Sequence, residues 1–137
     1  MELGTINLIT VPVTDQDRAK KFYVETLGFE EKFDYVMSGR SSEPDPGDDT
    51  RGTCAGSRWV MLTPPHGGPD ITLANWSGDR TPPGSARLSI TCDDVDTAWE
   101  RLRRLGVPVD GISDAPWGRW FGFDDPDGNH WQVVQEP

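Results

Sequence analysis

The chain has 137 residues, a formal net charge of −10 and an isoelectric point near 4.5. That length suits a single domain with a sizeable core, and the acidic balance argues against nucleic acid, whose phosphates it would repel. No apolar run approaches the ~20 residues of a bilayer-spanning helix, so no membrane partner is expected.

The start of the chain lacks the basic patch and apolar core of a signal peptide. Two cysteines, Cys54 and Cys92, do not make a disulfide framework. A cytoplasmic setting follows as the expectation.

Residues 5–13 are β-branched and apolar, which predicts a strand, with Pro12 confining it to an edge or a strand end. Thr14 or Asp15 can cap the helix that follows, and Asp17 suits its positive end. Ala19, Phe22, Tyr23 and Leu27 recur at helical spacing as a buried stripe, and Gly28 terminates the helix. A second strand covers 29–36. Residues 38–57 are mostly Gly, Ser, Pro and charge, an insertion loop that reads either as a lid or as disordered. Strands resume at 58–63 and 70–76 around a Pro-Pro-His-Gly-Gly-Pro turn, and 78–84 reads as a hinge between halves.

The second half opens with a clean alternation. Ala86, Leu88, Ile90 and Cys92 share one face of a strand, and Arg87, Ser89 and Thr91 share the other. Val95, Ala98, Trp99 and Leu102 form the buried stripe of a second helix, with Trp99 expected in the core. A strand is expected near 108–112. After it, Arg119, Phe121 and Phe123 alternate with Trp120, Gly122 and Asp124. Asp125-Pro-Asp-Gly-Asn129 predicts a tight hairpin turn. In the last strand His130, Gln132 and Val134 oppose Trp131 and Val133.

The two halves repeat. Asp15, Asp17 and Ala19 recur 79 residues later as Asp94, Asp96 and Ala98, and Leu27-Gly28 recurs 78 residues later as Leu105-Gly106. Two copies cannot stack as a solenoid, so the repeat reads as a duplicated βαβββ module.

This duplication, the segment from Val13 through Asp15 to Phe29, and the closing Asp125-Pro-Asp-Gly-Asn129 resemble the vicinal oxygen chelate superfamily. That group includes glyoxalase I, extradiol dioxygenases and bleomycin-resistance proteins. Pro116-Trp117-Gly118-Arg119 looks like the corresponding stretch of its drug-binding members. The resemblance implies an α+β fold in which paired βαβββ modules form a curved mixed sheet around a cavity, with helices on the outer face. It covers the chain as one domain, 1–137, with modules at about 4–77 and 85–136, interrupted at 38–57. A homodimer is expected.

Enzymes of this superfamily hold a divalent cation with His, Glu or Gln at set strand positions. Carried over, those positions are Leu8, Met61, Arg87 and Gln132. Leucine and methionine do not serve hard or borderline cations, and Arg87 is itself a cation. The chain has only two histidines, His66 in a turn and His130 beside Gln132. No metal and no other cofactor is therefore expected.

The same positions suit an organic ligand. The resemblance turns Trp59, Met61 and Thr63 inward as an aromatic and apolar wall. Arg87 can hold a carboxylate, phenolate or carbonyl oxygen, with Ser89, His130 and Gln132 as further polar groups. Trp59 and Trp120 can stack on a planar ring. Structural readings stand beside these: Arg87 pairing at a dimer contact, Trp59 and Trp120 as core aromatics, His130 as a hydrogen-bonded strand residue. Cys92, with only aspartates beside it, reads as inert.

Three functions follow. The first is a metal-free protein that sequesters an aromatic or hydrophobic compound, with a possible role in drug resistance. The second is a metal-free enzyme using His130 or Arg87 on a carbonyl compound. The third is a metal-dependent lyase, isomerase or dioxygenase with unconventional ligands.

Overall fold

The computed structural model describes residues 2–36, 58–75 and 82–137. The insertion at 38–57, Cys54 and the 78–81 part of the expected hinge lie outside the described residues. Two compact units divide the chain, Met1–Pro82 and Pro83–Pro137. No helix among the described residues is long and apolar enough to cross a membrane.

Unit one runs β1 (Leu8–Pro12), α1 (Gln16–Lys21), a π-helical turn (Phe22–Thr26), β2 (Glu30–Val36), β3 (Arg58–Thr63) and β4 (Asp70–Ala74). Its sheet has the order β1-β4-β3-β2, with β1 parallel to β4 and the other pairs antiparallel. Pro12 ends β1, which is an edge strand, so its missing N–H interrupts no ladder. Unit two runs β5 (Arg87–Thr91), α2 (Val95–Arg104), β6 (Ser113–Ala115), β7 (Gly118–Asp124) and β8 (His130–Gln135). Its order, β5-β8-β7-β6, and its strand directions repeat those of unit one. The expected α+β duplication is present.

Each helix starts on the aspartate that the repeat predicts. The Asp15 carboxylate accepts from Arg18 N at 3.0 Å, and Asp94 accepts from Asp96 N and Thr97 N at 3.1 and 3.3 Å. Such caps satisfy donors that a first turn leaves open. Both helices end on a glycine in the left-handed region, Gly28 at φ 83° and Gly106 at φ 88°. Between cap and glycine the first copy has one more residue, which is why the repeat offset falls from 79 to 78. The structure absorbs it as the π-turn: Leu27 N donates to Phe22 O, five residues back. A π-turn widens one helical turn and leaves the rest of the helix in phase. Tyr23 and Phe29 consequently stay fully packed, their rings edge to face at 5.5 Å.

One strand is displaced from its expected place. Pro108 has no N–H to give, and 108–112 retains only an isolated bridge, Val109 to Phe123; the paired edge strand comes later, at Ser113–Ala115. Trp99 is half-buried and lies at the border of the core, not within it. Its Nε1 donates to Asp110 O at 2.9 Å and the Arg103 guanidinium lies 5.1 Å from its ring.

Unit two is closed by its terminal turn. Asp125 Oδ1 accepts from Asp127 N and Asn129 N, and Oδ2 accepts from Asn129 Nδ2 at 2.9 Å. Asn129 Oδ1 accepts from Ala86 N, and His130 N donates to Ala86 O, both at 2.9 Å. Both side chains are buried. In unit one, Arg58 meets Asp34 with two bonds of 2.8 Å and Lys20 adds a third at 2.7 Å. Arg58 also reaches Asp17, and Lys20 reaches Glu31. This network ties β2 and β3 to α1.

Two outcomes are expected. Asn129→Ala strips a partner from the buried Asp125 carboxylate and from Ala86 N, just ahead of β5, and should cost about 2–4 kcal/mol in urea unfolding. Asp34→Asn should cost about 1–3 kcal/mol near neutrality. Arg58, above all, holds the Asp34 carboxyl well below the usual carboxylate range. A depressed carboxyl stabilises the fold fully above the unfolded value near pH 4, and the contribution is lost as pH falls through the folded value. The stability gap between wild type and Asp34→Asn should be flat above about pH 5 and narrow steadily in stronger acid.

Candidate functional site

Each sheet has one face toward its own helix and one face without a helix. In unit one the helix side carries Val60, Leu62, Ile71 and Leu73, all buried. The ion network identifies that side, because Asp34 and Arg58 reach α1 from it. Gln16, on α1, donates from Nε2 to the carbonyls of Arg58 and Leu73, each at 2.7 Å. Alternation then places Trp59, Met61 and Thr63 on the opposite, helix-free face.

Register adds two residues to that face that the sequence reading did not single out. Tyr35 pairs with Trp59 and Phe33 with Met61, so all four project from the same side. Phe33 and Tyr35 are 49% and 52% exposed, with ring centroids 6.1 Å apart. Aromatics two apart in a strand were the available signal; a bulge between Glu31 and Phe33 decides the side they occupy. At one end, Asp70 receives Lys32 Nζ at 2.8 Å. Lys32 first, then Thr63, lowers its carboxyl from the ordinary value.

In unit two the helix side carries Phe121, Phe123, Trp131 and Val133, with Phe123 and Trp131 stacked at 6.3 Å. Arg119 lies there too, bonded to Asp96 of α2 and to Asp114. The helix-free face holds every other expected site residue, arranged in rows across the strands. Arg87 pairs with His130, and His130 with Asp124. Ser89 pairs with Gln132, and Gln132 with Gly122. Thr91 pairs with Val134, and Val134 with Trp120. Trp117, in the turn before β7, stacks on Trp120 at 5.7 Å.

His130 is held. Its Nδ1 lies 2.9 Å from Asp124 Oδ1. A carboxylate only accepts, so Nδ1 donates and Nε2 is left as the acceptor of the neutral ring. Gly122 makes room for this pose. A Cβ there would lie 2.8 Å from His130 Cε1, 3.1 Å from its Nε2 and 2.9 Å from Asp110 Oδ2. The ring and the Asp110 carboxylate thus occupy the space a side chain would fill. Cys92, at the end of β5, has its thiol pushed up by burial and then by Asp93 and Asp94, which agrees with its reading as inert.

The metal question can be put to the geometry. Leu8, Met61, Arg87 and Gln132 all fall on helix-free faces, with Leu8 opposite Asp70 and Met61 opposite Thr72. Asp70 is taken by Lys32, and His130, beside Arg87, is taken by Asp124. Two hydrocarbon-like side chains, a guanidinium and an amide do not fit a divalent cation. Among the described residues no three His, Cys, Asp or Glu gather as ligands, and His66 is exposed in its turn.

A family profile for the Glyoxalase/Bleomycin resistance protein/Dioxygenase superfamily matches residues 5–133. TnmS3, an antibiotic binding protein from Streptomyces sp. CB03234, is 38% identical, covers 100% of this chain with 99% of its own, and superposes with a TM-score of 0.80. A superfamily member from Sphaerobacter thermophilus DSM 20745 is 32% identical over 96% of this chain and 97% of that one, with a TM-score of 0.72. Uncharacterized protein YetH of Bacillus subtilis (strain 168) is 25% identical over 128 residues, 90% of this chain and 92% of that protein.

Gly122→Ala should displace His130 at modest cost, about 1 kcal/mol, because the groups it meets are ends of side chains that can turn aside. Long-range nitrogen–proton NMR of the imidazole should show the Nδ1–Asp124 bond lost in Gly122→Ala and present in wild type.

Proposed function

Because this chain belongs to the Glyoxalase/Bleomycin resistance protein/Dioxygenase superfamily, we propose that it binds and sequesters an aromatic or otherwise hydrophobic small molecule, without a metal ion. One observation carries the reading. Phe33 and Tyr35 stand half open to solvent beside Trp59 on a sheet face that has no helix of its own. Large rings left in water on one surface favour a ligand that will cover them. On the first sheet the residues proposed to touch such a ligand are Trp59 and Met61 with these two aromatics. The helix-free face of the second sheet is proposed as a binding surface by itself, with Arg87, Ser89, Trp120, His130 and Gln132. TnmS3, by its description a protein that binds an antibiotic, supports the ligand class and a role in drug resistance. The donor chemistry at Leu8, Met61 and Arg87 supports the metal-free form.

A cytoplasmic homodimer goes with this reading, and sedimentation velocity tests the dimer. A second reading, a metal-free lyase or isomerase, draws support from the Asp124–His130 pair, whose free Nε2 can accept a proton. Turnover of a bound carbonyl compound that disappears in His130→Ala would favour it over binding alone.

Binding is tested by tryptophan fluorescence and thermal shift against a set of planar compounds. Quenching and a raised Tm are expected for several of them. Trp59→Ala and Tyr35→Ala should each weaken binding about 5- to 30-fold. A protein that no planar compound quenches or stabilises is not a sequestering protein of this kind.

A further inference from the structure

We propose that the helix-free face of the second sheet recognises a ligand with two unlike ends, a carboxylate held at Arg87 beside His130 and a planar ring at the Trp120–Trp117 stack. This rests on the reading that the chain binds a planar small molecule, and it adds the ligand's charge and length.

The rows across β5, β8 and β7 grade from charged to amide and hydroxyl to aromatic. Arg87, His130 and Asp124 form the first, Ser89, Gln132 and Gly122 the second, Thr91, Val134 and Trp120 the third. A ligand lying along the strands therefore meets opposite chemistries at its two ends.

At the charged end the groups are already sorted. Asp124 is engaged by His130 Nδ1, and Asp110 Oδ2 shares the space over Gly122 with that ring. Both carboxylates are thus on the β7 side. Arg87 is on β5, the edge strand, exposed, and its side chain has no ion pair or hydrogen bond among the described residues. The other arginine of β5–β8, Arg119, is spent on Asp96 and Asp114 on the helix side. An anion placed on the β5 side gains the Arg87 guanidinium and keeps two strand spacings, roughly 10 Å, from the Asp124 position.

The net charge of −10 acts against any anion, but as a diffuse field. Salt screens such a field over about 8 Å at physiological strength, while a direct guanidinium–carboxylate contact escapes most of that screening. The local contact wins at close range.

Length follows from the strand. Val134 is four residues beyond His130, roughly 13 Å, and the long Arg87 side chain shortens the gap to be bridged. A ring joined to a carboxylate by a short flexible chain spans it.

Pyrenebutyrate and its neutral counterpart pyrenebutanol are suitable probes, read by quenching of tryptophan emission at physiological salt. Wild type should bind pyrenebutyrate on the order of tenfold more tightly than pyrenebutanol. Arg87→Gln should bring the two affinities together, with an unchanged thermal melt showing the variant folded. Arg101→Gln, the same charge change on an exposed arginine of α2, should leave the preference intact. Trp120→Leu should weaken both probes. Equal affinities in wild type, or a preference that survives Arg87→Gln or vanishes in Arg101→Gln, would overturn the two-ended site and leave aromatic sequestration standing. Failure of both probes to bind wild type would overturn both.

Discussion

Three strands of the second unit take their register from one buried turn. Asp125 folds the chain back on itself by accepting from the backbone of Asp127 and Asn129 and from the Asn129 amide. Asn129 then reaches Ala86 at the head of β5, and His130 N binds the same residue. β7, β8 and β5 are thereby set against one another before any side chain on either face is chosen. A slip of one residue in a strand moves its whole outward set to the other side. Arg87 beside His130, and Gly122 beside Gln132, depend on these few polar contacts. Their burial makes them costly to leave unmade, which is what gives a turn of five residues such reach.

Unit one reaches the same topology by other means. Its anchor is the Gln16 amide, which bridges carbonyls of Arg58 and Leu73, reinforced by the charges of Lys20, Asp34 and Arg58. In unit two a glutamine also binds backbone, but from the sheet: Gln135 Oε1 accepts from Val95 N at the start of α2. One topology with two sets of polar anchors means the halves share the packing problem and solve it separately. The π-turn belongs to the same divergence, since it lets one helix carry an extra residue while Tyr23 and Phe29 stay packed.

Charge is distributed with a purpose that the total conceals. Ion pairs gather on the helix sides, where Arg58 meets Asp34 and Arg119 meets Asp96. On the helix-free faces Lys32 takes Asp70 and His130 takes Asp124. Arg87 stands apart from these pairs. A formal charge summed over the chain predicts the long-range field; it says nothing of which cation is left to meet a ligand.

From the sequence alone came the duplication, the helix caps, the terminating glycines, the closing turn and the sets of residues that share a face in β5, β7 and β8. These follow from local rules: period two in strands, period 3.6 in helices, and side chains that bond their own neighbours. The change of offset from 79 to 78 records one extra residue in the first copy, while its placement as a π-turn was decided by the fold. Tertiary structure alone decided the rest. That Phe33 and Tyr35 join Trp59, that His130 lies across Gly122 toward Asp110, and that β6 begins at Ser113 depend on cross-strand pairing between residues distant in the chain. No local pattern records which strand lies beside which, because that choice is made by burial and register summed over the whole unit.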